Sequence, residues 1–396
     1  MNGLDQIFVT LKHWVLGYVP EAWQPIASIL LSIAPIMMVF PLLFAITTWL
    51  ERKGLGRIQN RLGPNRVGPF GWLQPIADGI KMLTKEDVVP RSADHLIHFL
   101  APVILVVPVF LLFSVLPFGR NMVAIDLDAG LLFFFAAGAA TELSVFMAGW
   151  ASRNKYSVLG AMRAIAQMIS YELPLVISSL TVVMMVGSLS LVTIVDKQAQ
   201  APVLFGFLHQ WHVFTPWGFA GFILFFIAAT AESNRTPFDL PEGESEIIAG
   251  YLIEYSGFKY ALFFMGEYLG LFAISGLGIT LFLGGWSAPF SFLDWVPSYL
   301  WFFLKLLGII CVFIWVRGTL PRLRMDQLMS FAWKFMLPMS LINVVVAGLW
   351  HYSKDWALPG GVSLRWIICA IVIAVPYVFL GRAVQPRVAK RIYRYA

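Results

Sequence analysis

Nine stretches of the chain, at residues 27–50, 97–118, 129–150, 164–190, 214–232, 259–284, 297–317, 332–351 and 364–381, are predominantly apolar. About 20 residues of helix cross a hydrocarbon layer ~30 Å thick, so each stretch predicts a transmembrane helix. The runs are continuous rather than alternating, which argues against a membrane-spanning β-barrel. Between the first two stretches, Trp72, Leu73, Ile76, Ile80 and Leu83 recur at helical spacing, with Gln74, Asp78 and Lys81 elsewhere around the wheel. That pattern fits an amphipathic helix lying in the membrane interface, and equally a surface helix packed on the spans. The fold class expected is an all-α polytopic membrane protein.

Composition agrees. Of the 396 residues, 59% are hydrophobic and only 13% charged, and the mean hydropathy of +0.76 exceeds what a soluble core of this length could bury. The first residues lack a basic region and a small-residue cleavage site, so no removable signal peptide is expected. Cys311 and Cys369 fall in separate apolar runs, which supports neither a disulfide framework nor a Cys-based metal site. No G-x-G-x-x-G follows a strand and no Walker A run occurs, so no nucleotide site is expected either.

The net charge of +6 points in a membrane protein to basic loops and anionic lipid rather than to nucleic acid. Assigning alternate connections to opposite sides puts 22 of the 28 Lys and Arg residues in 51–96, 151–163, 233–259, 317–334 and the tail after 381. The positive-inside rule makes that side cytoplasmic, with a periplasmic N-terminus and a cytoplasmic C-terminus.

Glu142, Glu172, Glu267 and Lys305 fall inside predicted spans, where an ionised group costs at least ~2.5 to 3.5 kcal/mol. Each needs a partner or water. Near the cytoplasmic ends follow Glu232, Arg235, Asp239, Glu242, Glu244, Glu246 and Glu254. Mutual repulsion and partial burial would let such carboxylates exchange protons. A single buried Glu is as readily explained by one fixed ion pair, but carboxylates on three spans leading to an acidic loop favour a proton path. Pro174, two residues after Glu172, introduces a helix defect that a packing kink explains by itself.

Several segments resemble a known family. Glu51-Arg52-Lys53 with Arg57, Gln59, Arg61 and GPNRVGPFGWLQPIADGIKMLTKED looks like the first cytoplasmic loop of the H-type membrane subunits of complex I, the proton-translocating NADH:quinone oxidoreductase. KYSVLGAMRAIAQMISYE at 155–172, AESNRTPFDLPEGESE at 231–246, EYSGFKYALFFMGEY at 254–268 and WVRGTLPRLRMDQL at 315–328 resemble the further loops and adjoining helices of that family, in order. Independently of the family, Gly, Pro and Asn make 63–71 a turn-rich loop, and Pro237 and Pro241 break helix around Arg235 and Asp239.

The resemblance implies an eight-span core at 1–351, with quinone-site loops at 51–96, 151–163, 233–258 and 317–334. Residues 352–396 would then be an extension with a ninth transmembrane helix and a basic, lipid-facing tail. It implies a quinone chamber lined or supported by Arg52, Arg61, Asp78, Arg163, Arg235, Asp239, Glu242, Glu244 and Glu246. An acidic path would run through Glu172, Glu232, Glu254 and Glu267. Glu142 sits where the family pattern is small or apolar, so it joins that path only as a departure. The implied substrate is a quinone, ubiquinone and menaquinone fitting alike. The implied partners are other complex I subunits, both the hydrophilic-arm quinone-site subunits carrying iron–sulfur clusters and flavin and the antiporter-like membrane subunits; the length and the extra C-terminal span favour a bacterial inner membrane. No redox centre or metal is expected in this chain. The rival readings are the membrane anchor of an energy-converting hydrogenase, a freestanding secondary transporter, and a purely structural anchor.

Overall fold

The computed structural model describes residues 5–200, 209–239, 248–353 and 361–384. In chain order the helices are α1 (Ile7–Leu16), α2 (Gln24–Ile58), α3 (Gln74–Thr84), α4 (His95–Leu112), α5 (Gly130–Ala151), α6 (Lys155–Val186) and α7 (Leu191–Ala199). They continue with α8 (Pro216–Glu232), α9 (Gly257–Phe282), α10 (Ser298–Thr319), α11 (Met325–Phe331), α12 (Leu337–Tyr352) and α13 (Gly361–Val384). A π-helical turn, Ala332–Met336, joins α11 to α12. Eight of these helices, with α11 and α12 taken as one, are long and apolar enough to cross a membrane. The 17-residue α8 is a shorter apolar helix. The chain is an all-α polytopic membrane protein.

Capping side chains set several helix starts. Asn154, Ser190 and Thr215 each accept a backbone N–H of the first helical turn, at 3.0, 3.3 and 3.2 Å. Gly187, in the left-handed region at φ 73°, ends α6.

Several expected boundaries move. The first span is expected to stop at residue 50, but α2 runs to Ile58, so Glu51, Arg52 and Arg57 stand on a helix and not in a loop. The connection expected at 151–163 shrinks to a turn at 152–154, because α6 starts at Lys155 and carries both Arg163 and Glu172 through Pro174 without a break. The 97–118 span stops early, α4 ending at Leu112, and the connection 317–334 is helical except at 320–324. Hydropathy marks the slab a helix crosses, whereas the i→i−4 ladder continues through polar residues until a cap or turn stops it. The short helices α1 and α7 give no span-length signal.

The bundle is built around α9, whose most apolar stretch is 72% buried, against 11% for α2 and 6% for α13. Helices α4, α8 and α10 pack on α9, and α5 and α6 complete the layer beside α4. α13 is fastened to α12: Arg365 donates to Trp350 O at 2.6 Å and Ser353 Oγ at 2.9 Å, and Tyr377 packs edge-on against Phe335. α3 touches α2 and α9, yet Ile76, Ile80 and Leu83 remain 58, 57 and 65% exposed. Its apolar face is therefore not packed against the rest of this chain.

Candidate functional site

Where α2, α9, α10 and the segment after α8 meet, charged side chains are buried together. Glu51 accepts hydrogen bonds from Tyr268 Oη of α9 and from an Arg317 guanidinium nitrogen of α10. Arg235 Nη1 lies 3.8 Å from Glu51 Oε1, and its guanidinium sits 3.9 Å over the Tyr268 ring. Arg322 Nη2 donates to Asp239 Oδ2 at 2.9 Å. Burial opposes the charge on Arg235, but Tyr268, Glu51 and Glu267 outweigh it and raise its pKa. Burial pushes Asp239 above the usual carboxylate range, and Arg322, Arg317 and Arg235 pull it down without cancelling that push.

The segment carrying Arg235 and Asp239 is irregular, and α6 holds it in place. Asn234 takes a left-handed φ of 49°. Gln167 Nε2 reaches Ala231 O at 2.8 Å, Phe238 O at 2.7 Å and Asn234 Oδ1 at 3.2 Å, and Leu323 N donates to Pro237 O at 3.1 Å. Arg235 Nε and Nη2 and Asp239 Oδ1 are left with no hydrogen-bond partner among the described residues. In a buried site such positions call for water or a polar ligand.

An acid-lined cavity adjoins this cluster. It has a volume of about 70 Å³ and is lined in part by Glu172, Glu232, Glu267, Asn234 and Tyr251. That holds roughly two waters at ~30 Å³ each. Tyr251 Oη donates to Glu267 Oε1 at 2.7 Å, and Glu267 is within electrostatic reach of Arg235, Asp239 and Arg317. At the other side Glu142 of α5 is within electrostatic reach of Glu172 and Glu232. Glu172, Glu232 and Glu267 thus share the lining of one cavity, with Glu142 close to the first two.

Other residues singled out from sequence lie elsewhere. Arg52 Nη1 meets Asp78 Oδ2 at 2.6 Å, with Lys81 3.6 Å away on α3. Burial would raise Asp78, but Arg52, Gln74 and Lys81 outweigh it and hold its carboxyl below the usual range. Arg61 is exposed on the turn after α2, where its Nε donates to Gln59 Oε1 at 2.7 Å. Arg163 is half-buried on α6, and Glu254 accepts from Asn154 Nδ2 at 2.7 Å. Glu242, Glu244 and Glu246 lie outside the described residues. Among the described residues no group of three or more His, Cys, Asp or Glu could hold a metal ion.

Sequence reasoning gives no role to Glu51, Gln167, Tyr251, Tyr268, Arg317 and Arg322. Five of these stand inside segments already notable for their pattern, but only the fold shows that they converge. Tyr251 lies between two such motifs, inside the loop 233–258, where nothing in the local pattern singles it out.

A family model for NADH dehydrogenase matches residues 31–348. The H-type subunit of NADH-quinone oxidoreductase from Dehalococcoides mccartyi strain CBDB1 is 51% identical over 301 residues, 76% of this chain and 80% of the relative. Its counterpart from Geobacillus kaustophilus is 49% identical over 77% of this chain and 88% of its own length. That from Burkholderia vietnamiensis is 46% identical over 88% and 98%.

Proposed function

We propose, from the premise that this chain belongs to the NADH dehydrogenase family as an H-type membrane subunit of NADH-quinone oxidoreductase, that its charged end forms much of a quinone-binding chamber. The observation that carries this reading is the buried Glu51–Arg235–Asp239 cluster with donors and an acceptor still open. A quinone head group presents two carbonyl oxygens, and on reduction becomes a quinol that presents two hydroxyls. A site offering both guanidinium N–H donors and a carboxylate acceptor suits both forms.

Reduction takes up two electrons and two protons. This chain supplies no electron carrier in the proposal; electrons arrive from partner subunits of the hydrophilic arm. Its own residues respond to the change in charge. A negative charge developing at the head group draws on Arg235, which weakens its hold on Glu51 and Glu267, and protons redistribute along Glu267, Glu232, Glu172 and Glu142 through the watered cavity. The antiporter-like subunits would sense that redistribution and move protons. Arg52, Asp78, Arg61 and Arg163 act in this proposal as supports of the chamber walls, with Arg52 and Asp78 fastening α3 to α2 beside it. The charged end faces the cytoplasm of a bacterial inner membrane, in accord with the excess of Lys and Arg there.

The test is purification of an affinity-tagged chain in mild detergent, with mass spectrometry of whatever accompanies it and assay of NADH:quinone reductase. Redox subunits and reductase activity are expected. Hydrogenase subunits in their place would assign the chain to that related anchor, and a lone inactive chain would favour a transporter.

A further inference from the structure

The opposite end of the bundle carries a crevice that the quinone reading does not use. It has a volume of about 400 Å³ and lies between α2 and α10 beneath α1. That is within the ~300 to 1,000 Å³ of a small-molecule site. Its walls are graded. Lys12 and His13 of α1, with Ser32 of α2 and Asn121, make one part polar; Ile36, Val39 and Phe40 further along α2, with Phe118 and Phe303, make the rest apolar.

Lys12 is the informative residue. It is half-buried, and its Nζ donates to Ser32 Oγ at 2.7 Å. It meets no carboxylate within 4.0 Å among the described residues. An ammonium has three N–H donors, and a serine hydroxyl does not neutralise its charge. A lysine beside lipid would ordinarily extend its charged head towards water. Here the head turns inward over the mouth of an apolar crevice, which suits an anion whose own tail fills the space beneath.

The location restricts the occupant. α2 is a peripheral helix, 11% buried over its most apolar stretch, and Met37, Met38 and Val39 beside the crevice are 50, 73 and 39% exposed. An exposed apolar surface on a membrane-crossing helix suits contact with hydrocarbon. Phe8 of α1 packs edge-on against Tyr299 at the start of α10, with ring centroids 5.2 Å apart. Gln6 Nε2 donates to Arg120 O at 3.4 Å, and Asp5 Oδ1 accepts from Ser298 N at 2.7 Å. α1 is thus tied across the top of the crevice, and its exposed Phe8, Leu11 and Trp14 suit the membrane interface.

We propose that this crevice is a binding site for one anionic phospholipid of the outer leaflet. Its phosphate is held by Lys12 and His13, and one acyl chain lies along α2 over Ile36, Val39 and Phe40. The site would brace α1 and α2 at the end of the bundle away from the quinone chemistry.

The assembled complex is reconstituted in nanodiscs holding phosphatidylcholine with a small fraction of phosphatidylglycerol that carries a photoreactive group on its acyl chain. After illumination, the expected result is labelling of the α2 segment around residues 36–40, displaced by unlabelled phosphatidylglycerol and not by extra phosphatidylcholine. Lys12→Gln is expected to weaken that labelling about fivefold, the weight of one Lys at an anionic lipid surface. Val39→Trp, which fills the exposed mouth and spares the charge, is expected to abolish it. Absence of labelling in this segment, equal competition by phosphatidylcholine, labelling indifferent to both substitutions, or a partner subunit crosslinked over the crevice would each overturn the proposal. Neither residue approaches the charged end, so the outcome is independent of quinone turnover.

Discussion

Tyr251 Oη donates to Glu267 Oε1 at 2.7 Å. Both residues line the acid-lined cavity, and Glu267 is also within electrostatic reach of Arg235, Asp239 and Arg317. Tyr251 stands in a short turn before α9, so a segment outside the membrane-crossing helices donates a hydrogen bond to an acid within one.

Tyr251→Phe removes the donor and leaves the ring packed against Phe263. A hydrogen bond to a charged group contributes about 1.5 to 3 kcal/mol. Proton translocation driven by NADH in proteoliposomes is therefore expected to fall by about tenfold or more. Glu267→Gln should reduce it further, since it also deletes the charge facing Arg235. Parental proton pumping in both assembled variants would take Glu267 off the acidic path.

Gly160 offers a steric test of the same link. A Cβ there would lie 2.5 Å from Gly250 Cα and 2.9 Å from Tyr251 N, both backbone atoms that cannot swing aside. Gly160→Ala is expected to push Tyr251 away from Glu267, costing about 1 to 3 kcal/mol of stability as overpacking does, and to reproduce the Tyr251→Phe defect. A variant with lowered thermal stability and unimpaired pumping would show that Tyr251 need not be held so closely.

Arg235 stacks on Tyr268 and faces Glu51. Lysine keeps the charge but neither the planar stack nor the forked donors. Arg235→Lys in assembled enzyme is expected to raise the KM for quinone by about tenfold, with a smaller change in kcat. Arg235→Ala removes both the stack and the charge while Arg317 and Tyr268 still hold Glu51, and is expected to raise that KM further. A quinone KM unchanged in Arg235→Lys would remove Arg235 from the chamber.

The spans and the charged segments were legible because continuous hydropathy and local motifs are one-dimensional properties. Convergence was not. Glu51 reads as the first residue of a basic loop until α2 is seen to continue past it, and Gln167 reads as one polar residue in a long apolar helix. Its role depends on three acceptors 64 to 71 residues away, which no periodicity encodes. Arg61, prominent in the sequence, lies exposed beside Gln59, because a Gly- and Pro-rich loop announces a turn without saying what it faces.

His212 supplies a pH dependence unrelated to the site. It precedes α8, and its Nδ1 lies 2.9 Å from Leu281 O. Burial lowers its pKa to about 4, against a smaller upward pull from that carbonyl. The unfolded chain thus binds a proton that the folded chain refuses between pH 6.5 and about 4, so stability is fully present above that window and falls as pH drops through it. The loss is on the order of 3 kcal/mol. Melting temperature measured in detergent from pH 7 to 4 should decline in the parent and be flatter in His212→Gln; parallel curves would exclude His212 as the source.

Lys305 is a cation that the sequence places well inside a span, and the fold surrounds it with carbonyls. Its Nζ donates to Leu283 O at 2.7 Å, Gly285 O at 2.8 Å and Ser287 O at 2.7 Å, and it sits 4.0 Å over the Trp211 ring. Gly284 and Gly285, at φ 69° and 52°, curl the chain after α9 so that these carbonyls converge. All three ammonium donors are used, which makes the residue a fastener between α10 and the end of α9. Lys305→Met leaves three acceptors without a partner at about 1 to 3 kcal/mol each, so a loss of roughly 3 kcal/mol or more is expected, read as a lower melting temperature. Quinone kinetics of the enzyme that does assemble should be unchanged, because Glu51 and Arg235 lie at the other end of the bundle. An unchanged melting temperature with an altered quinone KM would reverse the assignment and give Lys305 a part in the chemistry.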